Sequence, residues 1–342
     1  MQAGLKRRLF LVVRIAAISA LVGALYGYAA GSVLRGALTG FLIAASIAGF
    51  EVFIVSRPVG AGLRRLGFVP LIAAKTAIYL VLIMAAQVAA AFAVPSGYAG
   101  VRLDADLAAA TLFSLAIAAA MTFVIQVDRM LGQGELARFV RGRYHHPRVE
   151  ERIFLLLDLV GSTGIAERLG GERFLALLND AYDDVAGAIL EQRGEIHKYV
   201  GDEMIVTWTP ARGLAGARCL RCVFAIEDAL ARRATYYRQH YGMMPSFRYV
   251  LHLGTVVSGE LGSLKQEIAY IGDAINVAAR LVDAGRSLDR PRLASQALLD
   301  RLTLPAAFRA TPLEPLALRG RQAPLAVAAL DRVDTAPAPA PG

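Results

Sequence analysis

Two aspartates occupy positions at which an unpaired carboxylate is costly. Asp158 lies in the run 151–160, whose Ile, Leu and Phe residues predict a strand buried on both faces. A buried carboxylate destabilises a protein unless it is paired or bound to a cation. Gly161 and Ser162 follow, and backbone N–H groups at the start of a helix there can bind phosphate oxygens. The pattern indicates a site that combines a metal ion with a phosphate.

The second aspartate, Asp202, lies in the segment 194–208, which predicts two strands joined by a tight turn at 200–203. Two carboxylates on adjacent strands can jointly hold two divalent cations, of which one activates a hydroxyl and both neutralise a triphosphate. A structural interpretation is open for each residue taken alone. Asp202 is then only a turn residue, and Asp158 only a neighbour of a helix cap. The motifs that follow favour the metal site.

Three sequence blocks resemble the catalytic domain of the class III adenylate and guanylate cyclases. They are FLLLDLVGST at 154–163, KYVGD at 198–202 and YIGDAINVAAR at 270–280. Each block alone is weak evidence, but the three together, in order and at sensible spacings, are strong evidence for the resemblance. The resemblance covers about 150–331. It implies a ferredoxin-like α/β (α+β) sandwich in which the active site forms between two catalytic domains.

At matching positions the resemblance implies roles for individual residues. Asp158 and Asp202 resemble the aspartates that bind two Mg²⁺ or Mn²⁺ ions, with the backbone carbonyl of Leu159 as a further ligand. Asn276 resembles the residue that orients the ribose, and Arg280 the arginine that stabilises the charge developing on the α-phosphate. Their spacing places both side chains on one face of a helix.

The resemblance also implies how the purine base is recognised. Lys198 matches the purine-reading position, where a lysine donates to N1 of adenine, whereas guanine would need an acceptor such as Glu. The family commonly has Asp, Thr or Ser at its second purine-reading position, and this chain has Ala269. Because alanine has no side-chain acceptor, a backbone carbonyl or a water contacts the adenine amino group, or base selectivity is loose. Lys198 favours ATP over GTP.

Two further arginines match less specific blocks. The segment 246–254 resembles the strand whose arginine contacts the terminal phosphates, and Arg248 occupies that position. The segment 316–324 resembles a late strand and turn with a basic phosphate contact, which Arg319 would supply. The alternative for each is a solvated arginine at the end of a strand.

The resemblance implies a reaction and an assembly. The ribose 3′-hydroxyl of ATP attacks the α-phosphate, and the products are 3′,5′-cyclic AMP and pyrophosphate. In the family one subunit supplies the metal aspartates and the counterpart of Arg248, and the other supplies the counterparts of Lys198, Asn276, Arg280 and Arg319. This chain carries both sets, so we expect a head-to-tail homodimer with two shared active sites. A guanylate cyclase and a catalytically silent, cyclase-like nucleotide-binding or regulatory module are the alternatives.

The apolar residues are concentrated in the part of the chain before these motifs. The chain is 56% hydrophobic and 19% charged, and four stretches are long enough to span a bilayer at about 20 residues each. These stretches are 9–30, 32–54, 69–94 and 107–127. Clusters of Lys and Arg beside them account for much of the net charge of +9 and predict contacts with lipid headgroups. Because the clusters explain the positive charge, we expect no nucleic-acid partner. The charge bias predicts a multi-pass plasma (inner) membrane protein with its amino terminus and catalytic domain in the cytoplasm.

Two ionisable residues lie inside these stretches. In the predicted topology Glu51 and Lys75 lie at similar depth near the cytoplasmic edge, and we expect them to pair. The alternative is that each side chain reaches the headgroups on its own.

The predicted organisation has four parts. A transmembrane domain with four helices, 1–127, is followed by an amphipathic helical linker, 128–149, which serves as a dimer contact or a plain spacer. The catalytic domain, 150–332, precedes a disordered Pro- and Ala-rich tail, 333–342. Cys219 and Cys222 lack the partners of a zinc or redox site, so the pattern favours two buried thiols on one face of a helix over 213–231.

Overall fold

The computed structural model describes most of the chain. The described residues are 2–29, 31–55, 61–64, 66–94, 105–131, 146–263, 267–317 and 323–333. They fall into two compact units, Met1–Val127 and Asp128–Gly342.

The amino-terminal unit is helical throughout its described residues. Its helices are α1 (Gln2–Ala29), α2 (Val33–Phe50), α3 (Ala61–Arg64), α4 (Phe68–Ala93) and α5 (Ala105–Leu131), and a π-helical turn, Glu51–Val55, continues α2. Each of the four predicted spans falls on one of the long helices. Among the described residues, Val33–Val55 and Val69–Ala93 are long and apolar enough to cross a membrane, with mean hydropathies of 2.1 and 2.0. The apolar parts of α1 and α5 are shorter, so the four-span domain remains a prediction.

Small residues let α1 and α2 approach closely. A Cβ atom added to Gly23 would lie 2.2 Å from the carbonyl oxygen of Gly36. Glycine permits such a backbone approach, which is typical of helix pairs in membranes.

The predicted pair of Glu51 and Lys75 is confirmed. Lys75 Nζ lies 2.6 Å from Glu51 Oε1, and the lysine side chain is 5% exposed. The hydroxyl of Tyr79, one helical turn after the lysine, donates to the same oxygen at 2.5 Å. Because both charges are removed from water, each depends on the other for compensation.

The second unit contains a mixed sheet. In its described residues the strands are β1 (Arg148–Leu159), β2 (Glu195–Val200), β3 (Glu203–Trp208), β4 (Phe247–Leu261), β5 (Glu267–Ile271), β6 (Arg292–Ser295), β7 (Phe308–Pro312) and β8 (Val327–Arg332). Their order is β2-β3-β1-β4-β6-β8-β7, with β5 paired to β4. Of these pairs, β4 and β6 run parallel and the others antiparallel.

Helices cover both faces of this sheet, which confirms the predicted α/β class. They are α6 (Ser162–Leu169), α7 (Gly171–Glu191), α8 (Pro210–Gly213), α9 (Arg218–Arg232), α10 (Ala234–Tyr241), α11 (Asp273–Ser287) and α12 (Gln296–Leu299). Alternate residues of β1 enter two cores. Leu155 and Leu157 pack in the core that contains α7 and α9, and Phe154 and Leu156 pack in the core that contains α11. This double burial is the reason for the continuous apolar run.

The bounds of two elements bear on the predictions. β1 begins at Arg148, and the domain start at 150 stays a prediction. The helix that carries the cysteines begins only at Arg218, because Gly216 and Ala217 have φ angles of 62° and 54° and interrupt the predicted helix. Both thiols are buried as predicted, and burial raises the pKa of Cys219 to about 12. α5 ends at Leu131, and most of the predicted linker, 132–145, like the tail after 333, lies outside the described residues.

Candidate active site

Asp158 lies near the carboxyl end of β1, where the strand pairing determines its neighbours. Because β1 is antiparallel to β3 and β4, its end meets the beginnings of both strands. Asp158 is therefore opposite Glu203 on β3 and Arg248 on β4. Its side chain is 4% exposed, and Arg248 Nη1 lies 3.7 Å from its Oδ2. The edge combines acids with a guanidinium, as a phosphate-metal site requires.

Asp202 lies in the predicted turn between β2 and β3. Gly201 precedes it with φ of 63°, a left-handed conformation that glycine adopts readily. This turn directs Asp202 toward the same sheet edge as Asp158. Asp202 Oδ2 is buried and has no hydrogen-bond partner among the residues the structure describes. A buried carboxylate oxygen without a donor is costly, and it has the chemistry to bind a cation.

The charges at this edge act on Glu203, which lies opposite Asp158 and next to Asp202. Burial, together with the charges of Asp158 and Asp202, raises the pKa of Glu203 to about 7. Arg286, in the last turn of α11, offsets part of this charge. Its Nη2 donates to Asp158 Oδ1 at 2.7 Å and its Nε donates to Oδ2 at 3.3 Å.

The donor set fits a divalent cation such as Mg²⁺ or Mn²⁺. No group of three or more His, Cys, Asp and Glu side chains able to hold a metal occurs in the described part of the chain. Mg²⁺, however, commonly binds through one or two carboxylates and completes its shell with waters and substrate phosphates. Asp158, Asp202 and the backbone carbonyl of Leu159 at the end of β1 are such a set. The orphaned oxygen of Asp202 is the observation that favours it.

Lys198 lies on β2 and pairs with a residue that the sequence did not single out. Its Nζ is 3.0 Å and 3.3 Å from the two carboxylate oxygens of Glu267 on β5. Ala269 lies two residues further along β5, opposite Gly259 of β4. Side chains two residues apart share one side of a strand, so the Ala269 position in the sequence already pointed to this side of β5.

Asn276 and Arg280 lie on α11, as predicted. The buried Val277 and Ala278 between them face the sheet, while Asn276 is exposed and Arg280 partly exposed. Neither side chain makes a hydrogen bond or ion pair with a described residue of the same chain, and none joins them to Asp158 or Asp202. The structure thus brings Asp158, Asp202 and Arg248 together and leaves Asn276 and Arg280 facing outward. Arg319 lies outside the described residues.

Comparison with known proteins agrees with this arrangement. The family model described as the adenylate and guanylate cyclase catalytic domain matches residues 145–327. Adenylate cyclase 2 of Rhizobium meliloti (strain 1021) is 39% identical over 231 residues, which are 67% of this chain and 64% of that protein. The adenylate cyclase of Anabaena cylindrica is 26% identical over 159 residues, or 45% of this chain and 31% of that protein.

Among solved structures, a bacterial light-regulated adenylyl cyclase has the same fold. It superimposes with a TM-score of 0.53 and 19% identity, and the match covers 64% of each chain. The chain spans less than two thirds of the length of the curated relatives, 64% and 31% for the two named above. The residues matched by the family model, 145–327, include the strands that carry the candidate site.

Proposed function

We propose that this chain, which belongs to the adenylate and guanylate cyclases, is a membrane-bound adenylate cyclase. It converts ATP to 3′,5′-cyclic AMP and pyrophosphate. The observation that carries the proposal is the convergence of Asp158 and Asp202 on one sheet edge, with a buried Asp202 oxygen that no described donor satisfies. The similarity to a protein named adenylate cyclase supports the choice of ATP.

Asp158, Asp202 and the carbonyl of Leu159 would hold two Mg²⁺ or Mn²⁺ ions. Bound there, the ions neutralise triphosphate charge and favour ionisation of the ribose 3′-hydroxyl. Arg248 binds the terminal phosphates, a role supported by its place beside Asp158 on the neighbouring strand. Because the attacking hydroxyl belongs to the substrate, the protein contributes position and charge rather than a nucleophile.

The remaining residues bind the nucleoside half. Lys198 donates to the adenine base, Asn276 orients the ribose, and Arg280 stabilises the charge that develops on the α-phosphate. Their exposure supports this assignment, since outward-facing donors on α11 are free to meet a substrate held by another copy of the chain. Arg319 adds a basic phosphate contact.

The assignment of the site residues to two separate sets favours a homodimer. Asp158, Asp202 and Arg248 supply one half of a site, and Lys198 with the α11 residues supplies the other. A two-fold head-to-tail dimer brings unlike halves together twice and forms two equivalent sites.

The helical unit supports attachment to a membrane. We expect 1–127 to cross the plasma membrane in contact with lipid, 128–149 to link it to the catalytic domain at 150–332, and the amino terminus and catalytic domain to lie in the cytoplasm. The two helices that meet the length and hydropathy requirement support this arrangement.

The product assay tests the proposal. The purified full chain is incubated with ATP or GTP and either Mg²⁺ or Mn²⁺, and both cyclic nucleotides are measured. Cyclic AMP from ATP is the expected product. Cyclic GMP from GTP alone would replace the proposal with a guanylate cyclase, and no cyclic nucleotide under any condition would favour a silent nucleotide-binding module.

A further inference from the structure

The pair formed by Lys198 and Glu267 lies where the family resemblance expects the purine to be read. Lys198 Nζ contacts both carboxylate oxygens of Glu267, at 3.0 Å and 3.3 Å. The side chains are 47% and 38% exposed, so a ligand can reach both groups. A donor and an acceptor are therefore held next to each other at an accessible position.

We propose that Glu267 determines base specificity by accepting a hydrogen bond from the 6-amino group of adenine while Lys198 donates to N1. The inference rests on the proposed adenylate cyclase function. The Watson–Crick edge of adenine presents an acceptor, N1, beside a donor, the 6-amino group. A lysine ammonium beside a carboxylate is complementary to that edge. Glu267 thereby supplies the acceptor that Ala269 lacks.

The strand geometry explains how a residue at 267 replaces one at 269. Glu267 and Ala269 lie on the same side of β5, because successive side chains of a strand alternate. Ala269 ends at Cβ and leaves this side of the strand open, whereas a glutamate extends farther from the backbone than the aspartate common in the family. The carboxylate therefore reaches Lys198 from the earlier position.

Contacts between neighbouring residues hold the pair in place. The His197 ring, next to Lys198, packs on the Tyr270 ring of β5 with 4.6 Å between centroids. Burial lowers the pKa of His197 to about 4, so this ring is neutral at pH 7. The buried Arg152 guanidinium lies 5.0 Å from the Tyr270 centroid. These contacts fix β2 against β5 and keep Lys198 near Glu267.

The same pair disfavours guanine in that orientation. Guanine has an N1–H donor where adenine has an acceptor, and a 6-oxo acceptor where adenine has a donor. The Lys198 ammonium would then face a donor and the Glu267 carboxylate would face an acceptor. Specificity arises from both the matched contacts and the mismatched ones.

The test removes the 6-amino group from the ligand and the carboxylate from the protein. Calorimetry measures the affinity of the full chain, in detergent and with Mn²⁺, for two ligands. They are the 3′-deoxy forms of ATP and of purine riboside triphosphate, which cannot cyclise because they lack the attacking hydroxyl. The second ligand keeps N1 and lacks the amino group. We expect the wild type to bind the adenine ligand about tenfold more tightly, since hydrogen bonds to charged groups are of this size.

The variants assign that preference to one residue. Glu267→Ala should bind both ligands equally and keep the wild-type affinity for purine riboside triphosphate, which also shows that it is folded. Lys198→Ala should weaken both ligands and leave their ratio unchanged. Moving the carboxylate in Glu267→Ala/Ala269→Asp should restore the preference. Glu314→Ala, which removes an exposed glutamate, is the matched control and should behave as wild type.

Two results would overturn the inference. One is a wild type that does not distinguish the ligands, and the other is a preference that survives in Glu267→Ala, as expected of a plain surface ion pair. Cyclic AMP formation by the wild type is measured in parallel. If cyclic AMP forms and Glu267→Ala still prefers the adenine ligand, only the role of Glu267 is refuted. If no cyclic AMP forms, the proposed activity is refuted.

Discussion

The Arg286 guanidinium holds the Asp158 carboxylate through both oxygens, with Nη2 to Oδ1 at 2.7 Å and Nε to Oδ2 at 3.3 Å. Such two-point pairs are among the stronger charge-assisted hydrogen bonds. Asp158 is one of the proposed metal ligands, and Arg286 lies in the last turn of α11, the helix that follows β5. A metal ion at Asp158 must therefore compete with a cation that belongs to the protein.

Removing this competitor should tighten metal binding. In Arg286→Ala we expect the affinity for Mn²⁺ to rise about three- to tenfold, because a charge-assisted bond is lost but the arginine side chain is half exposed and partly screened by water. Free Mn²⁺ is measured by electron paramagnetic resonance as the full chain is titrated. The assay reads binding directly and does not depend on turnover.

Arg290→Ala is the matched control for this experiment. Arg290 is exposed, close in sequence, and has no side-chain ion pair with another described residue. Its loss changes the net charge by the same amount without freeing Asp158. An unchanged or weaker Mn²⁺ affinity in Arg286→Ala would show instead that the arginine does not compete, or that it positions the carboxylate for the metal.

The shared-site dimer predicts complementation between two inactive variants. Asp158→Ala lacks the metal half of each site and Arg280→Ala lacks the nucleoside half. After random mixing, half of the dimers contain one chain of each kind, and each of these has one intact site. We expect about a quarter of the wild-type cyclic AMP production, since one site in four is then complete.

The controls for mixing are the single variants and a pair from the same half. Each variant alone should be inactive. Asp158→Ala mixed with Asp202→Ala should also stay inactive, because every site in that mixture lacks a metal ligand. Activity in this second mixture, or none in the first, would contradict the division of residues between subunits.

His197 predicts a pH dependence of stability. Its pKa falls from 6.5 to about 4 on folding, chiefly because burial disfavours the charged ring, with Lys198 adding to the effect. The unfolded chain therefore binds more protons between these values, and stability decreases as the pH falls from 6.5 to 4. The loss amounts to about 2 to 3 kcal/mol near pH 4. His197→Asn should remove this part of the pH dependence.

Tryptophan fluorescence reports on the unit that contains the sheet and His197. The chain has 1 tryptophan, Trp208, which is buried in the core of the sheet. Its fluorescence follows thermal unfolding of that unit in the full chain, at pH 7 and at pH 4.5, for the wild type and His197→Asn. His240→Asn, at an exposed position, is the control. The prediction is wrong if both His variants lose stability on acidification as much as the wild type does.

The sequence predicted the parts of the site that depend on local pattern. The apolar run around Asp158 indicated a strand buried on both faces, and it is one, because alternate residues enter separate cores. The turn at Asp202 followed from its glycine, and the helix that carries Asn276 and Arg280 followed from the resemblance to the cyclases. Each of these features is determined within about ten residues of chain, which is the range that such patterns describe.

Two charged residues of the site were missed because their partners are distant in sequence. Arg286 contacts Asp158 across 128 residues, and Glu267 contacts Lys198 across 69. Periodicity tells which face a residue occupies, but not which segment lies opposite. The late start of α9 has another origin, since Gly216 and Ala217 interrupt the helix with φ angles of 62° and 54°, which helical periodicity does not report.

The ion pair in the helical unit predicts that charge reversal is tolerated only when it is mutual. Glu51→Lys leaves two buried ammonium groups and Lys75→Glu leaves two carboxylates, and breaking a buried pair costs about 3 to 5 kcal/mol. Each single variant should therefore reach the membrane in reduced amount and unfold at lower temperature in detergent.

The double exchange restores opposite charges at the 2.6 Å contact and should recover part of the loss, but not all, because the Tyr79 hydroxyl now donates toward an ammonium. Tyr79→Phe should cost the wild type more than the exchanged protein. If the double exchange is no better than the worse single variant, the two charges do not depend on each other.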